Sequence, residues 1–386
     1  MTASDGVALN SFHGALGGSE HLLTVTAPPA GTLAEQIAAV ADRYAGARRA
    51  LGLDPETAVF RRVFVSDAQN QSAAIAAGPL AGRPEEGPVA VSVVQQPPLN
   101  RARLALMAYH VEDPVLISKR RLSDRHVLIR KNGRRHLWST GMCAGAADRP
   151  SSTAAQTRGV FADLIGALAA QQANLAAHCQ RTWLYIKDVD VFYEDMVAAR
   201  SALFAEHGLT GQTHFIASTG IEGACADRYD VVAMDAYSAL DLEPGQVTHL
   251  NDFDRLCATK DYNVTFERAT RIDYADRSQF LISGTASIDA AGRIVHPGNV
   301  EAQLDRAVEN IEGLLRAGGA DLTALTHLLV YLRDPADAGR IGAALRGRFP
   351  GLPMLLVQGA VCRPGWLVEL EGTAIAPADR PDLPCF

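Results

Sequence analysis

Apolar side chains recur every three to four residues in three long segments of the chain, a spacing typical of amphipathic helices. These segments are residues 32–53, 154–175 and 300–318. Each is followed by a strand-like pentapeptide that reads apolar, aromatic, apolar, polar, Asp, at residues 63–67, 184–188 and 330–334. The same order of elements at three places predicts three copies of one unit.

Each copy continues in the same way after its pentapeptide. A shorter helix is predicted at 69–77, 193–207 and 337–349, and two strand-like segments follow it. Asn132-Gly133 separates two alternating segments and predicts a hairpin that opens copy two. Copy three is predicted to open with a hairpin of strand 280–288 and a turn at 291–292, and copy one with a strand at 21–26. The pattern predicts an α/β (α+β) protein of three fused β(β)αβαββ units.

Pro- and Gly-containing connections near residues 111–114 and 242–247 suggest the unit boundaries. We expect an N-terminal tail at 1–17. The units are then residues 18–113, 114–243 and 244–386, of about 100–140 residues each, which is an ordinary domain size.

Composition narrows the function classes. Hydrophobic residues make up 48% of the chain and charged residues 20%, which excludes disorder as the main state. The net charge is -7, and the densest basic stretch, residues 119–135, is interrupted by apolar residues, so we expect no nucleic-acid partner. Six cysteines form no C-x-x-C pair, no secretory leader is evident and no apolar run could span a membrane. A cytoplasmic protein with reduced thiols is expected.

The C-terminal copy resembles the Rid (reactive intermediate deaminase) superfamily. Residues 367–376 read Leu-Val-Glu-Leu-Glu-Gly-Thr-Ala-Ile-Ala, and residues 282–288 and 329–334 also resemble the family's pattern. Copies one and two match in outline. Rid proteins are homotrimers with a barrel-like core and clefts between subunits, so the resemblance implies an intramolecular pseudo-trimer with a barrel-like core. The chorismatases resemble such a fused assembly, and residues 361–369 are similar to their C-terminal half.

Glu369 and Glu371 are the most informative residues. Side chains two positions apart on a strand share a face, and two carboxylates on an apolar strand are costly to bury unless they are paired. Copies one and two lack the pair. A buried carboxyl has a raised pKa and can donate a proton at neutral pH. The resemblance implies that Glu369 protonates the enol ether of a chorismate-like substrate or, in an imine hydrolase, activates water; a carboxylate pair with a structural role is the alternative.

One position departs from the Rid pattern. Rid deaminases carry an Arg fifteen residues before this Glu, where it clamps the substrate carboxylate, and this chain has Met354 there. The departure argues against a 2-imino-acid substrate.

Further candidates come from the same C-terminal copy. Cys362 is a second candidate catalytic residue, because chorismatases vary at the matching position with product type; a buried thiol is the alternative. A dicarboxylate substrate such as chorismate needs at least one Arg to bind it. The loop 216–223 of copy two is expected to reach the cleft that contains Glu369. The candidate substrate-binding residues are Arg363, Arg333, Arg268, Arg340, Thr285, Ala286, Tyr262 and Glu371.

Nucleotide, zinc-protease and C-x-x-C motifs are absent from the sequence, so neither a cofactor nor a metal is expected. We expect a small-molecule substrate, no membrane or nucleic-acid partner, and a monomeric pseudo-trimer, with further homo-oligomerisation left open. The function expected is acid-catalysed cleavage of an enol ether. Two alternatives remain: a Rid-type enzyme for an imine, enamine or other secondary-metabolite intermediate, and a non-catalytic ligand- or protein-binding protein.

Overall fold

The structure is a computed structural model that describes residues 6–113, 117–144, 152–257, 259 and 264–386. Its first unit is one five-stranded sheet with two helices. The strands are β1 (Val7–His13), β2 (Ser19–Thr26), β3 (Ala58–Val65), β4 (Ala90–Gln95) and β5 (Leu104–Glu112), and the helices are α1 (Leu33–Leu51) and α2 (Ala68–Ala76).

The second unit is a six-stranded sheet. Its strands are β6 (Ser118–Arg121), β7 (His126–Lys131), β8 (Arg134–Cys143), β9 (Cys179–Ile186), β10 (Ala217–Glu222) and β11 (Val232–Ala239). Its helices are α3 (Thr153–Ala169), α4 (Leu175–His178) and α5 (Val189–Glu206).

The third unit repeats that sheet. Its strands are β12 (Val247–Leu250), β13 (Ala269–Asp273), β14 (Arg277–Ala286), β15 (Leu325–Leu332), β16 (Met354–Gln358) and β17 (Val368–Pro377). Its helices are α6 (Val300–Ala317) and α7 (Ala338–Arg348).

The three sheets have one topology. The strand orders are β1-β2-β5-β3-β4, β7-β8-β11-β9-β10 and β13-β14-β17-β15-β16, with β6 and β12 added at the edges of the second and third. In each sheet the last pair is parallel and the other pairs are antiparallel. The prediction of three fused copies in a mixed α/β protein is confirmed.

Local sequence explains where the long helices begin and end. Thr32 caps α1 in a capping box with Glu35, and Gly52 ends it with a positive φ of 69°. Asn299 caps α6 by accepting a hydrogen bond from the N–H of Ala302. The predicted segment 154–175 is in fact α3 and the separate short helix α4.

Two sequence expectations need correction. Residues of the expected tail 1–17 form β1, which pairs with β2 from Val7–Val25 to His13–Ser19. This short strand does not alternate regularly between apolar and polar residues, and only its pairing with β2 identifies it as a strand. The hairpin of copy three joins β14 to the preceding β13 instead, because Tyr274–Asp276 make the turn; Ala291 and Gly292 form a minor turn beside a single Ile288–Ile294 bridge.

The sheets share one core and keep separate outer cores. Inner-face residues of all three units, among them Phe64, Tyr185 and Tyr331, form one buried cluster. The opposite face of each sheet packs against that unit's own helices. In the described residues the strands form three sheets joined at their seams by isolated bridges such as Ile221–Val361, and no closed barrel is formed. None of the described helices is both long and apolar enough to cross a membrane.

Candidate active site between units two and three

Glu369 lies on β17 at a position that differs among the three units. It stands opposite Tyr331 of β15. The equivalent partners are Ala105 opposite Phe64 in unit one and Ala233 opposite Tyr185 in unit two. The register therefore leaves the carboxyl at this position in unit three and a methyl group in the other two.

The Glu369 side chain faces a cleft between units two and three. The empty space of the cleft is about 540 Å³, a figure that includes open solvent at its mouth. Unit two contributes Tyr193, Arg200, Ser218, Thr219 and Gly220, and the C-terminal unit contributes Val264, Phe266, Arg268, Gly284, Ala286, Ile288, Cys362, Arg363, Trp366 and Glu369.

Burial sets the charge of Glu369. The residue is only 6% exposed. Loss of water raises the pKa of Glu369 to about 8, and the nearby Glu371 carboxylate adds to this effect, while Arg268 and Arg181 oppose it. The group is therefore a neutral acid at pH 7 that can donate a proton.

Gly284 on β14 makes room for this carboxyl. A Cβ at position 284 would overlap Oε1 of Glu369, so any other residue there would force the carboxyl to move. The neighbouring strand thus approaches the acid closely only because the residue is glycine.

Three guanidinium groups line the same cleft. Arg268 precedes β13, is 3% exposed and donates to the Cys257 carbonyl at 3.0 Å. Arg363 donates to the Gly292 carbonyl at 3.1 Å, with its guanidinium 4.8 Å from the centre of the Trp366 ring. Both were sequence candidates, and the structure brings both to Glu369's cleft together with Ala286 and Cys362.

Arg200 is the third guanidinium, and sequence reasoning missed it. It lies on α5 in unit two, is 1% exposed and donates from Nε to the Thr265 hydroxyl at 3.2 Å. Tyr193, two turns earlier on the same face, also lines the cleft. The available signal was a charged residue on an otherwise apolar face, spaced with Tyr193, Val197 and Phe204 at helical intervals.

Cys362 follows β16 and lines the cleft as a neutral thiol. Burial and the adjacent Glu369 raise its pKa to about 12, although Tyr193 and Arg363 oppose this shift. A thiol with this pKa is a weak nucleophile at neutral pH. Cys362 can shape the cleft or hold a water, and the structure gives no support for covalent catalysis.

Glu371 and Thr285 are not brought to the cleft. The Glu371 carboxylate accepts hydrogen bonds from Arg181 at 2.8 Å, from the Trp183 indole at 2.9 Å and from the Thr219 hydroxyl. Thr285 is fully buried and donates to the Ser283 carbonyl at 2.9 Å. Both side chains are satisfied within the fold, so their expected contact with substrate is not supported by the geometry.

Arg333 and Arg340 also lie outside the lining. Arg333 forms a two-point ion pair with Asp190 of α5, at 2.7 and 2.9 Å, and so ties unit three to unit two. Arg340 pairs with Asp337 on the protein surface. Tyr262 falls outside the described residues.

The loop of copy two that was expected near this cleft reaches it. Thr219 and Gly220 lie on β10 and line the cleft. The Gly284 N–H donates to the Thr219 hydroxyl at 2.9 Å, and the Ser218 N–H donates to the Ser283 hydroxyl at 2.9 Å. The wall from unit two is thus hydrogen-bonded to the strand that faces Glu369.

Known proteins resemble part of the chain in sequence. Residues 269–376 match the model of the family described as endoribonuclease L-PSP. Protein DfrA of Myxococcus xanthus is 29% identical over 113 residues, which cover 29% of this chain and 85% of DfrA. The Rid resemblance of the C-terminal unit is therefore supported by sequence comparison.

Solved structures resemble the chain in fold. A crystal structure of a chorismatase superposes with a TM-score of 0.61 and 19% identity, covering 83% of this chain and 93% of its own. RidA from the Antarctic bacterium Psychrobacter sp. is 20% identical and covers 33% of this chain and 99% of its own, with a TM-score of 0.29. At this identity the likeness to the chorismatase is one of fold.

Proposed function

Because this chain is Rid-like in its third unit and shares the overall fold of a chorismatase, we propose that it is a small-molecule enzyme that cleaves the enol ether of a chorismate-like dicarboxylate. Glu369 is the proton donor. The observation that best supports this proposal is a buried, neutral carboxyl in a cleft lined by three arginines. An acid and convergent cations are what such a substrate requires.

The proposed reaction starts with the proton of Glu369. It adds to the terminal methylene carbon, where the electron pair of the C=C bond forms the new C–H bond and leaves an oxocarbenium ion. Water adds to that cation and returns a proton to the Glu369 carboxylate. The resulting hemiketal breaks its bond to the ring oxygen, which takes up the hemiketal proton, and pyruvate and the ring alcohol are released.

The arginines bind the substrate from two sides of the cleft in this scheme. Arg200 approaches from unit two, and Arg268 and Arg363 approach from unit three, so the two carboxylates of one substrate can be bound from both sides of the cleft. Their positive charges also attract the substrate, and burial keeps the pKa of Glu369 at about 8 although Arg268 opposes this shift. Cys362 is a candidate for contact with the reacting group, as a neutral thiol.

A Rid-type imine substrate fits less well. Met354 occupies the position of the carboxylate-binding Arg of Rid deaminases; it begins β16 and packs against the outer core of unit three. It is not among the residues that line the cleft. The arginines present are instead placed around Glu369 from other elements.

The test is pyruvate release from chorismate by the purified protein. We expect turnover by the wild type and a fall in kcat of about 10²–10⁴-fold for Glu369→Gln, because the amide cannot donate the proton. Glu309→Gln, on the exposed face of α6, is the matched control and should leave the rate unchanged. Circular dichroism should report an intact fold for both variants.

Two outcomes would overturn the proposal. Binding of chorismate without pyruvate release by the wild type would indicate a binding protein. Equal rates for wild type and Glu369→Gln would remove Glu369 from the reaction.

A further inference from the structure

A second cluster of chemically reactive groups lies in unit two. The Sγ atoms of Cys143 and Cys225 and a carboxylate oxygen of Asp230 all lie within 4.8 Å of one another. It is the one group of three or more potential metal ligands found in the part of the chain that the structure describes. None of the three residues lines the cleft of Glu369.

The fold brings these residues together from two places. Cys143 is the last residue of β8 and stands opposite Ala233 of β11. Cys225 and Asp230 belong to the connection between β10 and β11, on either side of a bend. Cys143 is 82 positions before Cys225, so the sequence shows no metal-binding spacing.

Asp230 is buried with one carboxylate oxygen unpaired in the described part of the chain. The residue is 2% exposed, and its Oδ1 makes no hydrogen bond within the described ranges. Oδ2 lies 3.8 Å from Cys225 Sγ, which is a weak donor. A buried carboxylate oxygen without a donor is unfavourable, and a bound cation would satisfy it.

Arg125 contacts the cluster at Cys143. Its Nη2 lies 3.5 Å from Cys143 Sγ, and its Nη1 donates to the Cys143 carbonyl and to Asp163 of α3, each at 2.9 Å. The end of β8 is thereby held in place for ligation.

We propose that Cys143, Cys225 and Asp230 bind one thiolate-preferring divalent cation of the zinc class. Two thiolates and one carboxylate suit Zn²⁺, whereas Mg²⁺ and Ca²⁺ prefer oxygen ligands only. A fourth, non-protein ligand would complete the tetrahedron. A disulfide between the two cysteines is the competing interpretation, and it leaves Oδ1 of Asp230 without a partner.

The bound cation would stabilise the connection between β10 and β11, and this connection and β10 together contact unit one and unit three. The chain from β10 to Cys225 carries Thr219 and Gly220 at one end, and Ala224 next to the site bridges Gln95 of unit one. Ligation of Cys225 and Asp230 to the end of β8 would fix this connection. The cation would not take part in the reaction proposed for Glu369.

The experiment begins with full-length protein stripped by a chelator under reducing conditions. Titration with Zn²⁺ should restore one equivalent per chain by elemental analysis, and Co²⁺ should give thiolate-to-cobalt charge-transfer absorption. Zinc should raise the melting temperature and protect two thiols from alkylation, mapped by mass spectrometry to Cys143 and Cys225. Cys143→Ser and Asp230→Asn should each lose stoichiometric binding.

Cys385→Ser is the matched control, because Cys385 is an exposed free thiol outside the cluster. It should bind zinc as the wild type does. Should a cluster variant fail to fold, the alkylation map of the wild type decides the question alone. The proposal is overturned if no equivalent of zinc binds, if Cys143 and Cys225 stay reactive with zinc present, or if the pair is a disulfide that does not bind zinc after reduction.

Discussion

At the scale of the residue, two glutamates on one strand have opposite environments. Glu371 accepts hydrogen bonds from Arg181 and Trp183, which stabilise its charge. Glu369, two positions earlier, has a raised pKa because burial disfavours its charged form. Within the described part of the chain, hydrogen-bond donors reach Glu371 and not Glu369, so the same side chain forms a structural ion pair in one position and is an acid in the other.

The pKa of Glu369 predicts how activity depends on pH. If it is the proton donor, turnover should be present below about pH 8 and fall above it as the carboxyl loses its proton. A pH profile of kcat for pyruvate release measures this. A rate that stays flat from pH 6 to 10 would contradict the role, provided that the protein remains folded throughout.

Stability should follow the same titration. The folded-state pKa is about 8 and the ordinary value is 4.5, so the folded protein holds more protons between these values. This contribution is complete below pH 4.5 and is lost as the pH rises through 8. Between pH 6 and pH 9 the free energy of unfolding should therefore fall more for the wild type than for Glu369→Gln. The difference between the two should exceed about 1.4 kcal/mol, which corresponds to one pKa unit. Urea denaturation at both pH values measures the difference.

At the scale of the element, α5 joins two functions. Its buried face packs in the outer core of unit two, and the same helix presents Tyr193 and Arg200 to a cleft whose acid belongs to unit three. Asp190 near its start pairs with Arg333 of unit three. The position of α5 relative to β17 therefore controls the geometry of the cleft.

Arg200→Lys tests this arrangement. A lysine keeps the charge but lacks the planar pair of donors that matches a carboxylate, so we expect kcat/KM for the chorismate-like substrate to fall about tenfold to a hundredfold, mainly through KM. Arg158→Lys is the control, because Arg158 forms an exposed ion pair with Glu206 at the other end of α5. Steady-state kinetics of both variants decide the matter; unchanged KM for Arg200→Lys would mean that the helix only supports the cleft wall.

At the scale of the whole molecule, the units are joined by related buried ion pairs. Arg62 of unit one donates to Asp235 of unit two at 3.0 Å, and Arg181 of unit two donates to Glu371 of unit three at 2.8 Å. Strand register gives Asp235 and Glu371 equivalent positions, opposite Trp183 and Leu329. The junction of units three and one uses Arg277 and Glu20 instead, at 2.8 Å.

Removal of one partner should loosen the assembly. Glu371→Ala leaves Arg181 buried without its anion, and the free energy of unfolding should fall by about 3–5 kcal/mol. Glu309→Gln on the surface should change it by less than about 0.5 kcal/mol. Chemical denaturation monitored by tryptophan fluorescence measures both, and a loss below 1 kcal/mol for Glu371→Ala would show that the ion pair contributes little.

The sequence by itself determined the elements and their repetition. Helical periodicity located α1, α3, α5 and α6, and the repeated pentapeptides located β3, β9 and β15. It also singled out Glu369, because a glutamate on an apolar strand is conspicuous when the two other copies lack it. These features are local: each depends on which face of a short segment must be buried.

The tertiary structure decided what meets across the seams. Arg200 and Glu369 are 169 positions apart, Cys143 and Cys225 are 82 apart, and Arg333 pairs with Asp190 and not with its neighbour Asp334. Periodicity carries no information about such contacts, since they depend on how three independently patterned sheets pack on one another. The charge state of Glu369, the anchoring of Glu371 and the grouping around Asp230 therefore follow from packing, because burial and nearby charges, and not the residue type, set the chemistry of each group.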